Sequence, residues 1–163
     1  MTQGPRLRRF LLVVHVTTSV GWLGAVLAFL GLAVVGLTSA DDGTVRGVYL
    51  VMAPAGRYVL MPLAVASLVI GIVQSLGSRW GLVRHYWVLF KLVITVIATL
   101  LLLRYLATFD ALAAAAADPD TDLADVRSAS PLLHATLALL VLLAATVLAV
   151  YKPRGAIRWR RTT

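Results

Sequence analysis

The sequence predicts an all-α protein, an integral membrane four-helix bundle with both termini on the cytoplasmic side. Two observations carry this. Four apolar stretches, about 10–37, 55–76, 87–106 and 131–151, are each long enough to cross a hydrocarbon core of ~30 Å at ~1.5 Å per helical residue. The charges between them alternate in sign. All seven carboxylates are aspartates in two segments, Asp41 and Asp42 in one and Asp110, Asp118, Asp120, Asp122 and Asp125 in the other. Most of the basic residues occupy the other three polar segments: Arg6, Arg8 and Arg9 first, then Arg79 and Arg84, then Lys152, Arg154, Arg158, Arg160 and Arg161. Basic segments are retained in the cytoplasm, so the two ends and the middle loop are expected inside and the acidic segments outside. At 163 residues and 60% hydrophobic content, four spans leave no room for a separate soluble domain. The expectation is one membrane domain, 1–163, closing on a basic tail, 152–163.

The first span, Phe10 to Leu37, exceeds the 7 to 15 residues of a signal-peptide core and reads as retained, although Thr38-Ser39-Ala40 has the small residues of a cleavage site. The second is interrupted by Pro54, Arg57 and Pro62. A proline lacks the N–H and crowds the preceding turn, so a bend or a short interfacial helix is expected near Pro54, with Arg57 snorkelling to the outer interface. Trp80, Tyr86 and Trp87 hold the cytoplasmic start of the third span at headgroup depth, and Ala111 to Ala117 extends it as a helix until Pro119. The fourth starts with Ser130 as N-cap and Pro131 at the first helical position, and it is the least polar of the four.

The net charge of +8 sits mainly beside span ends, where it orients the chain and meets anionic lipid headgroups rather than nucleic acid. With no cysteine, disulfides, iron-sulfur clusters and thiolate metal sites are excluded. Thr17, Gly21, Gly24, Ala28 and Gly31 recur by four and three residues and form a helix-packing seam, expected to serve the bundle itself, with a homodimer or another protein partner as the alternative.

His15 lies about five residues inside the first span, roughly 8 Å deep, where an ionisable group must face the bundle interior. On the third span Lys91, Thr95 and Thr99 share a face, and on the second Ser67, Gly71, Gln74 or Ser75, and Ser78 follow a similar spacing. Together His15, Ser19, Gln74, Lys91 and Thr95 are expected to line the principal cavity, in the cytoplasmic half. No carboxylate lies in any span to neutralise Lys91, so its partner is either water, reached by snorkelling, or an anion such as a lipid phosphate. Arg57, Arg104, Tyr105 and His134 gather near the outer interface as a second anion-site candidate, set against simple contact with headgroups and the acidic loops.

No nucleophile, base and acid, and no pair of carboxylates, can be placed at one depth, so a non-catalytic membrane component without a cofactor is expected. His134 and His15 are separated by roughly 17 Å along the membrane normal and cannot share one ion. The alternative is a redox or transport protein holding haem b or copper on His15 and His85. Met1, Met52 and Met61 form no copper ladder.

The segments Val14-His15-Val16, Gly21-Trp22-Leu23-Gly24, Pro62 through Ser67 and Gly71, Gly77-Ser78-Arg79-Trp80-Gly81-Leu82 and His85-Tyr86-Trp87-Val88-Leu89-Phe90-Lys91-Leu92 resemble a family of predicted bacterial integral membrane proteins of unknown function, of the kind found in high-GC actinobacteria. A more distant similarity is to the copper-resistance D membrane proteins, which share a first-span His, a Trp-x-Gly and a later Lys-Leu. The resemblance implies a compact multi-span bundle of the bacterial inner membrane, with His15, Trp22, Gly24, Trp80, His85 and Lys91 at motif positions.

Overall fold

The computed structural model describes residues 4–77 and 85–151; Ser78 to Arg84, with Trp80, and the basic tail 152–163 lie outside the described residues. The described chain is helical and without strands, and four of its helical runs are long and apolar enough to cross a membrane. In order they are α1 (Pro5–Thr38), α2 (Asp42–Ala55) continued through a π-helical turn (Gly56–Leu60) into α3 (Met61–Leu76), then α4 (Tyr86–Ala117), a single-turn α5 (Leu123–Val126) and α6 (Ser130–Tyr151). Both α1 and α4 pack against α3 and α6, so the four form a ring in which α1 faces α4 across the middle. One end of the ring carries Arg8, Arg9 and the start of α4 and is the basic end; the other carries the aspartates and is the acidic end.

The second span differs from its expected form. Asp42–Leu76 is one continuous helical run, without a separate interfacial helix before it. Pro54 withholds the N–H that the carbonyl four residues back would accept, and two residues later the chain widens to a π turn, Met61 N–H bonding Gly56 O. Pro62 then falls in the first turn of α3, where a missing N–H costs least. Gly56 lets this widened turn approach α4: a Cβ there would lie 2.8 Å from Phe109 Cδ2. Phe109 is buried between the rings of Phe29 and Tyr105, at centroid distances of 5.3 and 4.8 Å.

At 34 and 32 residues, α1 and α4 are about 51 and 48 Å long, roughly 20 Å more than a hydrocarbon core requires. The surplus builds a packed cap at the acidic end. Val45, Tyr49 and Val126 are 0% exposed there and Met52 1%, and among the described residues these are the largest fully buried side chains. Asp110 belongs to α4 and Asp42 starts α2, so the acidic segments are partly helical. Asp41 caps α2, its Oδ2 accepting from Thr44 N and Thr44 Oγ1, both at 2.7 Å. These bonds, the hydroxyl's first, hold its carboxyl below the usual range. Asp118 is lowered likewise, first by the Asp120 N–H and then by the Thr121 hydroxyl.

Two arginines close the cap by serving helix C-termini. Arg127 donates to the carbonyls of Gly36, Leu37 and Ser39 at 3.4, 2.8 and 2.6 Å, and Arg46 to those of Ala116, Asp118 and Thr121 at 3.3, 2.7 and 2.6 Å. The final carbonyls of α1 and α4 have no intrahelical donor, and a cation opposite them also meets the favourable end of the helix dipole. Tyr49 ties the same layer together: its hydroxyl accepts from Ser128 N at 2.9 Å and donates to Ser128 O at 3.3 Å. At the start of α6 the expected cap shifts. Ser130 is already helical, and the hydroxyl receiving a first-turn N–H is that of Ser128, from Ser130 N at 3.3 Å.

The small-residue seam of α1 also departs from expectation. Only Gly21 of the four seam positions Gly21, Gly24, Ala28 and Gly31 enters the bundle, against Leu63 of α3; the others, with Thr17, are exposed on the outer surface of the ring. The inward face is Trp22, Val26, Phe29, Ala33 and Gly36, the same four-three spacing displaced by two residues from Gly24, Ala28 and Gly31. Two residues correspond to about 200° of helical rotation, so the two stripes lie on nearly opposite sides of α1.

Candidate functional site

The basic half of the ring is hollow because α3 and α6 turn small residues inward: Ser67, Gly71 and Ser75 at successive turns of α3, Ala145 and Ala149 on α6. The resulting cavity, of about 1200 Å³, is lined at the basic end by Arg8, Arg9 and Trp87. It ends near Trp22 and Leu142, beyond which the packed core closes the ring. All five residues expected to meet here, His15, Ser19, Gln74, Lys91 and Thr95, line it.

His15 projects from α1 into the space that Gly71 leaves on α3; a Cβ at Gly71 would sit 3.1 Å from His15 Cε1. Across the ring Lys91 Nζ lies 3.4 Å from His15 Nε2. An ammonium has donors only, so Lys91 donates, Nε2 accepts and the imidazole proton belongs on Nδ1. Nδ1 is buried beside the backbone of Ser67 without a hydrogen bond to it.

The hydroxyls around the pair are satisfied within the protein. Ser19 Oγ and Ser67 Oγ share a bond of 2.8 Å between α1 and α3. Thr95 donates to Lys91 O, Thr99 to Thr95 O, Ser75 to Gly71 O and Thr146 to Leu142 O, all at 2.7 or 2.8 Å. The ammonium of Lys91 and the guanidinium groups of Arg8 and Arg9 have no acidic side chain at their end of the bundle, because every aspartate lies at or beyond Asp110 on α4 or in the turn and first residues around α2. The site is therefore an uncompensated cluster of positive charge at the entrance and middle of a largely apolar chamber.

His85 precedes α4, six residues and about 9 Å along the axis from Lys91, and does not line the cavity. His15 presents to the cavity a ring nitrogen already facing an ammonium. Among the described residues no three His, Cys, Asp or Glu side chains gather at metal-ligand range. At the acidic end Arg57 pairs with Asp110 at 2.6 Å, both about half exposed. Tyr105 donates to Ser130 Oγ at 2.8 Å and stacks on His134 at 4.1 Å, while Arg104 is exposed, so these four do not converge on one ligand.

Sequence reasoning missed the contributions of α6 and of Arg8 and Arg9. The signal on α6 was present as Ala145 and Ala149, one turn apart in a leucine-rich helix, but the absence of polar groups hid it. Comparison of the chain with family models, with curated proteins and with solved structures finds no match.

Proposed function

We propose that this chain is a multi-pass protein of the bacterial inner membrane, basic end in the cytoplasm, that holds the acidic headgroup of a lipid or another anion in its inner cavity without catalysing a reaction. One observation carries the reading: Lys91, Arg8 and Arg9 converge on a cavity with no carboxylate anywhere near it. A cation held away from water needs a counter-charge, and here it has to come from another molecule. The charge alternation along the sequence supports the orientation. The haem or copper reading has weaker support, since Lys91 faces one ring nitrogen of His15 and His85 does not line the cavity. A visible spectrum of the purified protein tests that alternative directly.

The experiment is the lipid inventory of the purified protein by native mass spectrometry, wild type against Lys91→Met. Methionine keeps the apolar stem and removes the charge. An acidic lipid present at defined stoichiometry and lost from the folded variant supports the reading. Retention of every co-purified lipid at wild-type stoichiometry means that Lys91 is only snorkelling and overturns it.

A further inference from the structure

The polar groups of the cavity are not evenly spread along its depth. On α1 the lining runs from Arg8 and Arg9 through His15 and Ser19 to Trp22, about 20 Å along the axis. The deep hydroxyls, Ser19, Ser67 and Thr95, are bonded to one another or to backbone carbonyls. Those groups ask nothing of a ligand. Among the described residues the unmet polar demand lies on the basic side of those hydroxyls: Arg8 and Arg9 line that end, His15 Nδ1 and the Gln74 side chain have no hydrogen bond, and Lys91 has only His15. The α6 wall opposite carries Leu142, Ala145, Ala149 and Val150, with Thr146 bonded to its own helix.

We infer that the occupant is an acidic amphiphile, a phosphate or carboxylate head bearing an apolar chain, with the head between Arg8, Arg9 and Lys91 and the chain along α6 toward Trp22. This rests on the reading of the cavity as an anion site and adds what fills the rest of it. A small hydrophilic anion would meet the three cations and leave the deep apolar chamber without a partner. Water there would find few groups to bond, because the hydroxyls are already engaged. An amphiphile satisfies both ends at once, and its polarity runs in the same direction as that of an inner-leaflet lipid beside the bundle.

The test uses full-length protein in phosphatidylcholine nanodiscs, titrated with lysophosphatidate carrying bromine near the end of its acyl chain. Trp22 is 3% exposed and shielded from bulk lipid, so a bromine quenches it only from inside the cavity. In a protein keeping Trp22 as its sole tryptophan (Trp80→Phe, Trp87→Phe, Trp159→Phe), the result expected is saturable quenching that brominated phosphatidylcholine does not reproduce and whose midpoint rises at least tenfold in Lys91→Met. Because Trp22 is a core residue, Ala145→Leu provides a second route: one turn from Leu142 at the deep end, it fills the chain site and should weaken lysophosphatidate at least tenfold while leaving inorganic phosphate binding unchanged. If inorganic phosphate competes as tightly as lysophosphatidate and Ala145→Leu affects neither, the occupant is a free anion and the amphiphile is wrong, although the anion site stands. If Lys91→Met changes neither ligand, the anion site itself falls.

Discussion

Replacing Tyr49 by Phe isolates the hydroxyl that ties the acidic cap together. The ring remains, so the packing against Gly36, whose added Cβ would lie 3.2 Å from Tyr49 Cζ, is kept. What is lost is the acceptor for Ser128 N–H at 2.9 Å and a weaker donated bond to Ser128 O at 3.3 Å. An unsatisfied buried donor costs about 1–3 kcal/mol, and because Ser128 is only half-buried and can recruit water, the lower part of that range applies, about 1–2 kcal/mol. Tyr49→Ala removes a fully buried ring as well and should cost about 3–5 kcal/mol, as large aromatic truncations in cores do. Reversible unfolding in mixed micelles with increasing dodecyl sulfate gives both values on one scale. Hydrogen exchange at Ser128 should rise in Tyr49→Phe before any global change. Equal stability of Tyr49→Phe and wild type, with unchanged exchange at Ser128, would refute the claim that this hydroxyl holds the cap.

Three further outcomes follow from the same structure. Single cysteines at Ser39, Ser78 and Ser128 in this cysteine-free chain should be labelled from outside the cell at the first and last only; outside labelling of Ser78 alone would reverse the orientation. Gly56→Ala drives a methyl to within 2.8 Å of the Phe109 ring and should cost about 1–3 kcal/mol in the same unfolding assay, whereas no loss would mean the π turn yields freely. Ala28→Leu and Gly31→Leu lie on the outer surface of α1 and should leave monomer stability within about 0.5 kcal/mol. A large loss there would return the seam to the bundle interior.

The number, order and type of the spans were legible because bilayer thickness imposes a length that the apolar stretches meet one by one. The convergence of His15, Ser19, Gln74, Lys91 and Thr95 was legible for a related reason: polar side chains in an apolar helix have few places to go. Other features were hidden by the same physics. In lipid both faces of α1 are apolar, so periodicity does not distinguish the stripe led by Trp22 from that of Gly24, Ala28 and Gly31. Asp42, Arg46 and Asp110 look like loop residues, yet they sit in helices that outrun the membrane. Arg46 and Arg127 run against the charge rule on the acidic side, and only the fold shows that each closes a helix C-terminus. Between Pro54 and Pro62 the helix runs on through a π turn, with no separate interfacial helix, because widening the helix keeps most backbone groups bonded where water is scarce.

The central claim, a cavity at the basic end that attracts anions, is tested most directly by the charge preference of a thiol placed inside it. Ala149→Cys supplies the sole cysteine of the chain, on the cavity wall. One positive charge at roughly 8 Å with an effective dielectric near 20 is worth about 2 kcal/mol, more than a factor of ten in local reagent concentration. A sulfonate-bearing thiosulfonate reagent should therefore outrun its trimethylammonium counterpart at least tenfold relative to their ratio on a free thiol. That preference should appear only from the cytoplasmic face and collapse when Lys91→Met is combined with Arg8→Gln and Arg9→Gln. A cationic reagent that reacts as fast or faster, or labelling of the introduced thiol from the acidic side, would contradict the account.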